Sequence, residues 1–573
     1  MPRPSGAGAI AGPAPGRGAA ARGEPHGASS ATSGTVGGAS GAVVGASGTV
    51  GGADRTVGAD DNRHIDREVA MVTQGTMHWP RRWGGGGGGG ARRAGDDKGA
   101  GASRAAVLRW ASSPLIRLCG FALVLLTLLL LLTAPAARGV AAGPGDCLWM
   151  SWLDGPDHTL DAVTSVAEAP DGSLYAAGVA NDDWGTAADI LVIKRTPNGT
   201  GGWSLEWDGP AGNADWAADL VVDAESNAIV VGRSVSVAKQ EDWALVKYSP
   251  AGVVLWQKLW GGTSSDVPVD AVGDAAGNVF VCGTADFSQN SSTWKVVKFR
   301  RGSGSVAWTL TYTGPAANTS GDMPLAMDRD AAGNLYVAGT SANKLGVRDI
   351  VVIKVSPTGK RLWARRIDGP SHLADEGVAV AARPEGGAYV ACHSWTGTAQ
   401  NQMLLVRLTA SGSYAWTGTW KRWDDATVPG MTSVEGMDLD ADGNVYVAGY
   451  SWDSGATDYR AFIQKRSPAG ALRWVRYHRP AGVENSAFHG LAVSSVGRAW
   501  VAGTVIPAGG TQDWLVARYE TDGKRAWVSS YDSTSHLADW ANALTLCGTR
   551  SLFVGGVMGT STNDDAGTAK YLR

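Results

Sequence analysis

One sequence unit recurs eight times between Trp149 and Arg573, and this repeat constrains the fold more than any other feature. A tryptophan closes a short apolar run in every unit, at Trp149, Trp203, Trp256, Trp308, Trp363, Trp416, Trp474 and Trp527. A second marker ends a G-N-x-Y-V-A-G-like string, at Gly178, Gly232, Gly283, Gly339, Cys392, Gly449, Gly503 and Gly555. A third marker is a basic residue in a V-x-K-x-S-P-x-G-like string, at Lys194, Lys247, Lys298, Lys354, Arg407, Lys465, Arg518 and Lys570. Three separate markers therefore give the same count of eight.

Each unit contains four short runs of β-type sequence. In the second unit these runs are residues 218–222, 228–232, 243–248 and 253–260, and turn-forming residues separate them. Four strands in roughly 53 residues, repeated eight times, predict an all-β fold, an eight-bladed β-propeller with four-stranded blades. A solenoid is the alternative, but it would need capping ends and usually has shorter coils.

The two ends of the repeat region, residues 147–573, complement each other. The region opens with a lone fourth-type strand, residues 147–152, and it finishes on a third-type strand, residues 568–572. We therefore expect the N-terminal strand to complete the last blade, which would pair an otherwise open edge and close the ring.

Two segments carry a resemblance to a known family. Residues 330–341 (DAAGNLYVAGTS) and 349–363 (DIVVIKVSPTGKRLW) resemble the bacterial β-propeller repeat family often called SBBP. The resemblance covers about residues 147–573 and implies an exported or cell-surface bacterial protein without an assigned reaction. The family is named for seven blades, whereas this chain has eight units. The P-x-G-x-x-x-W portion is also similar to quinoprotein propeller repeats, although Ser-Pro stands here where those repeats typically have Thr-Gly.

The region before the repeats differs sharply in composition. Residues 1–104 hold 27 of the 80 glycines and have almost no sustained apolar periodicity. Such a segment buries too little apolar surface to offset the entropy of ordering, so we expect a disordered, low-complexity leader rich in Gly, Ala and Ser. It is either a flexible exported tail or the product of a mis-assigned translation start.

A hydrophobic segment, residues 114–137, follows the leader. Twenty uncharged residues lie between Arg117 and Arg138, and about 20 helical residues match a hydrocarbon core of about 30 Å. The segment is therefore either a signal-peptide h-region or a single transmembrane signal-anchor helix. Because the arginines precede it, both alternatives place the propeller outside the cytoplasm, secreted or anchored to the cytoplasmic membrane.

Charge and cysteine content exclude other classes. The sequence pI is near 6.3, and residues 144–573 hold 35 Lys and Arg against 45 Asp and Glu, a formal charge of −10. This balance argues against a nucleic-acid partner. Five cysteines in 573 residues do not make a disulfide scaffold. In an exported protein a disulfide between Cys147 and Cys547 is possible, although the two strands expected between these residues would hold them apart. We expect Cys282 and Cys392 to be buried thiols.

Acidic residues recur in the loops that follow each tryptophan strand. They are Asp161, Asp215, Asp266, Asp322, Asp375 and Asp539, with Thr432 and Ser486 in the two remaining units. Loops before the third strand open on the same face and add Asp189, Asp242, Asp349, Asp458 and Asp513. A ring of carboxylates would form a negative mouth that concentrates cations or cationic ligands. Alternatively, each Asp bonds local backbone amides and holds its turn.

Histidines and non-repeating tryptophans are the other candidates for ligand binding. His158, His372 and His536 share one register, each four residues after an Asp, and could ligate a transition metal. However, they belong to units one, five and eight, so only His158 and His536 are neighbours. Trp184, Trp395, Trp423 and Trp452 lie outside the repeat register and are candidates for an exposed platform on which sugars stack. We expect the eight-fold tryptophans and the eight-fold basic residues to be structural.

No segment carries a recognised catalytic or cofactor motif in a supporting context. Residues 438–444 (DLDADGN) begin like a calcium loop, but the twelfth position is Gly449 instead of a bidentate Glu. No cofactor is predicted, and calcium or another divalent cation is left as an alternative.

The leading hypothesis is a non-enzymatic binding or interaction module for an extracellular protein, glycan or polymer, held to the membrane by one hydrophobic segment if that segment is not cleaved. A secreted enzyme, quinoprotein-like or a hydrolase or lyase with its site on the Asp/His face, is one alternative. A structural cell-surface component is the other.

Overall fold

A computed structural model of the chain describes residues 142–155, 159–182, 188–238, 240–288, 291–315, 321–395, 401–416, 421–422, 432–452, 459–480, 482–560 and 563–573. The predicted leader (1–104) and the predicted hydrophobic segment (114–137) lie outside these residues. In the described part, no helix is long and apolar enough to cross a membrane.

Every element in the described residues is a β-strand, and thirty-two are present. In chain order they are β1 (Cys147–Leu153), β2 (Leu160–Glu168), β3 (Leu174–Asp182), β4 (Asp189–Arg195), β5 (Gly202–Trp207), β6 (Asp215–Val222), β7 (Ala228–Val235), β8 (Glu241–Tyr248), β9 (Val254–Trp260), β10 (Ser265–Gly273), β11 (Val279–Ser288), β12 (Ser291–Phe299), β13 (Val306–Tyr312), β14 (Met323–Arg329), β15 (Leu335–Ala342), β16 (Arg348–Val355), β17 (Arg361–Ile367), β18 (Asp375–Ala382), β19 (Ala388–Trp395), β20 (Asn401–Leu408), β21 (Lys421–Arg422), β22 (Thr432–Leu439), β23 (Val445–Trp452), β24 (Tyr459–Arg466), β25 (Leu472–His478), β26 (Val483–Val493), β27 (Ala499–Pro507), β28 (Asp513–Tyr519), β29 (Arg525–Tyr531), β30 (Trp540–Cys547), β31 (Ser551–Gly559) and β32 (Asp564–Leu572).

These strands form eight four-stranded antiparallel sheets, which confirms the predicted eight-bladed propeller. Blade 1 consists of β2 to β5, and each later set of four consecutive strands forms the next blade. Blade 8 has the order β1-β32-β31-β30, so the N-terminal strand closes the last blade as predicted. In this closure Trp149 pairs with Lys570, and Leu153 pairs with Ala566.

Burial follows the position of a strand within its blade. The first strands of neighbouring blades contact one another around the axis. Second strands such as β15 are buried along their whole length, whereas fourth strands such as β9 are mostly exposed. Apolar clusters span adjacent sheets, as where Ile350 of blade 4 packs with Val390 and Leu404 of blade 5. The core therefore lies in the wedges between blades.

The eight-fold tryptophans fill these wedges, as the sequence predicted. Each ring lies against a glycine of positive φ in the next blade, and a Cβ on any of these glycines would lie 2.5 to 3.3 Å from the ring. The pairs are Trp149–Gly199, Trp203–Gly252, Trp256–Gly304, Trp308–Gly359, Trp363–Gly412, Trp416–Gly470, Trp474–Gly523 and Trp527–Gly145. Only glycine fits a backbone with positive φ that a ring covers so closely.

The eight-fold basic residues tie strands and blades together. Lys247 Nζ lies 2.7 Å from Asp223 Oδ2, and both side chains are 3% exposed. The same ammonium donates to the carbonyl of Arg301 in the next blade, at 3.3 Å. Lys570 makes the corresponding bond across the ring closure, to the carbonyl of Pro197 at 2.7 Å. A structural role for this position is therefore visible in its contacts.

The described cysteines are all free thiols. Cys282 and Cys392 are buried, as predicted. The Cys147–Cys547 disulfide that the sequence left open is absent, because β31 and β32 lie between the strands that carry these residues. Cys547 instead donates a hydrogen bond to Glu168 of blade 1, at 3.1 Å.

Candidate functional site

The inter-blade face is the face on which the chain passes from the fourth strand of one blade to the first strand of the next. The recurrent aspartates lie at or beside the start of the first strands, as Asp215 does in β6 and Asp375 in β18. All six are at most 3% exposed. The carboxylates that the sequence placed in loops are therefore buried at the strand ends.

Each of these carboxylates accepts a hydrogen bond from a backbone amide of the preceding loop. The donors are Gly155, Gly209, Gly262, Gly314, Gly369 and Ser533, in the order of the six aspartates, at 2.5 to 2.7 Å. In three blades the second carboxylate oxygen accepts a hydrogen bond from another backbone amide, as Asp539 Oδ1 does from Gly559 at 2.8 Å. These contacts hold the inter-blade loops against the second strands.

Burial raises the pKa of several of these carboxyl groups. The pKa values of Asp161, Asp215 and Asp375 rise to about 6, and the backbone and side-chain hydrogen bonds that they accept offset part of this shift. At three junctions the recurrent Asp lies with two other carboxylates whose oxygens are within 4.8 Å of one another. These clusters are Asp154–Asp161–Asp565, Asp189–Asp208–Asp215 and Asp349–Asp368–Asp375.

The two described candidate histidines, His372 and His536, lie at different junctions. His372 and His536 are exposed, with positive φ, and Nδ1 of each imidazole lies 2.7 Å from the carboxylate of the Asp four residues earlier. The hydrogen bond that His372 donates to Asp368 raises the pKa of His372. The two residues precede blades 5 and 8, and His158 lies outside the described residues.

Among the non-repeating tryptophans, Trp395 and Trp452 are half-buried at equivalent register in β19 and β23. Trp184 and Trp423 lie outside the described residues. Trp395 pairs with Asn401, whereas Trp452 pairs with Tyr459. Of these two described tryptophans, Trp452 in blade 6 is therefore the one that pairs with an aromatic residue on the neighbouring strand.

Trp452 belongs to an aromatic cluster formed by the end of β23, the start of β24 and the first strand of blade 7, β26. Tyr450 lies 4.9 Å from Trp452 and 5.5 Å from Tyr459 between ring centroids, and Trp452 lies 6.1 Å from Tyr459. The imidazole of His489, on the first strand of blade 7, lies 6.3 Å from the Tyr450 ring. We call these four rings, with Ser433 and Glu435, the aromatic mouth.

Glu435 supplies the carboxyl group of the aromatic mouth. Ser433 donates a hydrogen bond to Glu435 Oε1 at 2.6 Å, and burial raises the pKa of Glu435 to about 7. Burial and the nearby Glu435 also raise the pKa of Tyr450. The mouth therefore places a carboxyl group with a raised pKa beside the Tyr450 ring.

The sequence contained a signal for Glu435 and His489 that the repeat analysis missed. The first strand of every blade has an unpaired bulge residue at the position where it passes the glycine or cysteine of the second marker. The eight bulge residues are Thr164, Ala218, Val269, Leu325, Val378, Glu435, His489 and Asn542. Four consecutive blades have apolar or small residues there, and the other four have polar ones. Bulges often re-aim side chains beside functional sites.

Four further carboxyl groups lie on first strands, and the sequence analysis missed these as well. Asp219, Asp270, Asp328 and Asp438 each accept an amide hydrogen bond from the first strand of another blade, at 2.6 to 3.1 Å. Burial raises the pKa of all four. These hydrogen bonds link the first strands of different blades around the axis, where no ladder of backbone hydrogen bonds joins one blade to the next.

The calcium-like string 438–444 forms an ordinary turn. Asp440 accepts hydrogen bonds from Asn444 and lies 3.0 Å from Lys465 Nζ. Asp438 points to the amide of Val493 at 2.6 Å. The carboxylates of Asp438 and Asp440 are thus already engaged by donors of the protein.

A cavity of about 520 Å³ opens between blades 3 and 4, on the face opposite the aromatic mouth. Lys298, Arg301 and Trp308 contribute to its lining. Lys298 is paired with Asp274 at 3.0 Å, and Arg301 is paired with Glu225 at 2.5 Å. Lys298 and Arg301 are therefore already paired with acidic residues of the protein itself.

Comparison with known proteins extends only to structure. No protein-family model matches the sequence, and no curated protein matches it. The structure is similar to Sqt1 from Chaetomium thermophilum, at 12% identity over 75% of this chain and 99% of that chain, with a TM-score of 0.41. It is also similar to the WD40 domain of SCAP from fission yeast, at 9% identity over 74% and 98%, with a TM-score of 0.41. The β-propeller domain of the Trilobed protease from Pyrococcus furiosus gives 6% identity over 64% and 95%, with a TM-score of 0.36. At these TM-scores the similarities carry no argument about partners or activity.

Proposed function

We propose that the protein is an exported, non-enzymatic β-propeller that binds a glycan at the aromatic mouth. The observation that carries this proposal is the cluster of the Tyr450, Trp452 and Tyr459 rings, in which Tyr450 lies close enough to Glu435 for that carboxylate to raise the Tyr450 pKa. Aromatic faces stack on sugar rings, and a hydrogen-bonding carboxyl group fixes the orientation of hydroxyls. The mouth combines both features in one blade.

The repeated residues support a binding role indirectly, because their side chains are used in contacts that stabilise the propeller. The eight-fold tryptophans, basic residues and aspartates are engaged in contacts between strands and blades. The residues that depart from the repeat are therefore the candidates for ligand contact, and the aromatic mouth contains six of them.

The negative charge of the propeller region restricts the class of glycan that the protein would bind. The propeller region has a formal charge of −10, and the carboxylate clusters lie on the inter-blade face, where the aromatic mouth also opens. A negative surface repels an anionic polymer and attracts a cationic one. The ligand is thus a neutral glycan or one that carries amino groups.

Affinity electrophoresis of the purified protein tests this proposal, with a neutral glucan, chitosan and alginate as the gel-borne polysaccharides. The protein is expected to be retarded by the glucan or chitosan and not by alginate. Trp452→Ala should lose about five- to thirtyfold in affinity, because one stacked aromatic platform contributes on the order of 1–2 kcal/mol. Trp395→Ala is the matched control at the same register of blade 5, and it should bind as the unaltered protein does. Retardation by alginate alone, or equal losses in both variants, would overturn the proposal.

A second candidate is a glycan-cleaving enzyme, which the raised pKa of Glu435 favours. Glycoside hydrolysis commonly uses two carboxyl groups at about 5 to 9.5 Å. Burial raises the pKa of Glu435, the hydrogen bond from Ser433 offsets part of this rise, and no second carboxyl group among the described residues contributes to it. Incubation of the protein with any glycan that it binds distinguishes the two. Release of reducing ends that disappears in Glu435→Gln would establish the enzyme.

Export and membership of the SBBP family are parts of the same proposal. They are supported by the hydrophobic segment 114–137 and by the repeat motifs of residues 330–341 and 349–363. Cell fractionation with a carbonate wash tests the location. An anchored propeller stays with the membrane, a cleaved one appears in the medium, and recovery of the full-length chain from the cytoplasm would refute export.

A further inference from the structure

The junction between the last and the first blade gathers carboxylates from three separate chain segments. Asp154 follows β1, Asp161 lies in β2, and Asp565 lies in β32. One oxygen atom of each carboxylate lies within 4.8 Å of the others. A ligand at this point would contact the closing strand and both blades that the junction joins.

Two buried oxygen atoms at this junction have no hydrogen-bond partner among the described residues, namely Oδ1 of Asp565 and Oδ1 of Asn181. Asp565 is 1% exposed and Asn181 is 5% exposed. A Cβ on Gly155 would lie 2.7 Å from Asn181 Oδ1 and 3.0 Å from both carboxylate oxygens of Asp161, so the two side chains crowd one point. Buried acceptors that lack a donor are rare in native proteins and call for a bound partner.

The charged groups that shift the pKa values of Asp161 and Asp565 are all carboxylates. Burial and the neighbouring Asp154, Asp161 and Asp564 raise the pKa of Asp565 to about 7. Burial, Asp154 and Glu206 raise the pKa of Asp161 to about 6. Among the described residues, no ammonium or guanidinium group contributes to the pKa shift of either carboxyl group, so the described part of the junction concentrates negative charge.

We propose that Asp154, Asp161 and Asp565 bind a calcium ion that fastens the closure of the ring. Calcium takes six to eight oxygen ligands in flexible geometry, and carboxylates together with an amide oxygen such as that of Asn181 are its usual protein ligands. Magnesium demands stricter octahedral geometry and shorter distances. The proposal is independent of the glycan and of the aromatic mouth, which belongs to other blades.

Other junctions differ in ways that provide internal comparisons. Between blades 2 and 3, Gly261 stands at the register of Asp154, so Asp242 and Asp266 are left as two carboxylates. Between blades 4 and 5, Arg366 lies 3.0 Å from Asp349 and supplies positive charge to that cluster. Between blades 1 and 2, Asp189, Asp208 and Asp215 form a similar cluster, and Asp215 Oδ1 is likewise buried without a hydrogen-bond partner among the described residues. The junction of blades 8 and 1 differs because two such oxygens, of Asp565 and Asn181, lie there and because β1, the strand that closes the ring, leads directly into Asp154.

Calcium binding by the full-length protein tests the proposal after removal of bound metals with EDTA and dialysis. Equilibrium dialysis counts the bound ions, and thermal unfolding measures their effect. We expect calcium at about 100-fold above its dissociation constant to raise Tm by about 3 °C, and magnesium at the same concentration to raise it less.

Asp565→Asn and Asp242→Asn form a matched pair, because both remove one carboxylate at the same register of a third strand. Asp565→Asn should bind one calcium ion fewer than the unaltered protein and lose most of the Tm increase. In EDTA the same variant should be at least as stable as the unaltered protein, because it removes buried negative charge. Asp242→Asn should keep the full calcium response. Absence of calcium binding by the unaltered protein at millimolar concentration, or equal stoichiometry in it and in Asp565→Asn, would overturn the proposal.

Discussion

The indole ring of Trp527 packs over Gly145, and this contact completes a series of eight equivalent Trp–Gly contacts around the ring. Gly145 has φ of 90°, and its amide donates to the carbonyl of Leu572 at 2.8 Å. Leu572 in turn donates to the carbonyl of Asp146 at 3.0 Å. In blade 2, one continuous turn makes the same two bonds through Ser249, Gly252 and Val253. Two distant chain segments thus rebuild at the closure a turn that other blades form locally.

The contact predicts that Gly145→Ala weakens the ring closure. A Cβ there would lie 2.8 Å from Trp527 Cδ2, and the backbone conformation itself disfavours alanine. We expect a loss of about 2–3 kcal/mol in the free energy of unfolding, measured by urea denaturation. Gly346→Ala is the control, because its φ is 81° and no atom lies within 4 Å of the new Cβ. It should lose about 1 kcal/mol, and an equal loss in both variants would show that the Trp527 contact contributes nothing.

A second prediction concerns the indole N–H groups. Seven of the eight repeat tryptophans donate to a turn carbonyl of the next blade, as Trp474 does to Thr521 at 2.9 Å. Trp527 Nε1 is buried without a hydrogen-bond partner among the described residues. Trp474→Phe should therefore destabilise the protein by about 1 kcal/mol more than Trp527→Phe. Thermal unfolding of the two variants measures the difference, and a larger loss in Trp527→Phe would refute the account.

The sequence predicted the architecture well because the repeat residues perform the same contact in every blade. The spacing of Trp203 and Lys247 recurs, and each recurrence adds independent support for one blade. The aromatic mouth could not be predicted in this way. Tyr450 and Tyr459 come together by pairing of β23 with β24, and His489 reaches them from the next blade. The bulge at Glu435 also breaks the two-residue alternation from which the facing of a strand is normally inferred.

The buried pair of Asp219 and Asp270 predicts a stability change with pH. Burial and the charge of Asp219 raise the pKa of Asp270 well above its ordinary value. The native state therefore binds a proton more tightly than the unfolded chain does, and stability falls as pH rises through the native pKa. Asp270→Asn keeps an acceptor for the amide of Met327, which lies 2.7 Å from the native carboxylate. The variant should be more stable than the unaltered protein by about 1 kcal/mol or more at pH 8, with the difference vanishing near pH 4. Urea denaturation at both pH values measures it, and a loss of stability at pH 8 would contradict this reasoning.

The pair of Asp223 and Lys247 predicts the opposite trend. The ammonium of Lys247 and the amide groups of Asn227 outweigh burial and lower the pKa of Asp223. Its contribution to stability is present above the unfolded pKa and is lost as pH falls through the native pKa. Asp223→Asn should cost about 3 kcal/mol at pH 7, because it leaves Lys247 buried beside a neutral group. The cost should shrink below about pH 4, and a pH-independent cost in urea denaturation would exclude this electrostatic origin.

Hydrogen–deuterium exchange tests the central claim, that the ligand binds at the aromatic mouth, most directly. The full-length protein is compared with and without a soluble fragment of the polysaccharide that retards it most in affinity electrophoresis. The account predicts slower exchange in β23, β24 and the start of β26, with other blades unchanged. Protection confined to the cavity between blades 3 and 4, or to the recurrent aspartates of other junctions, would contradict it.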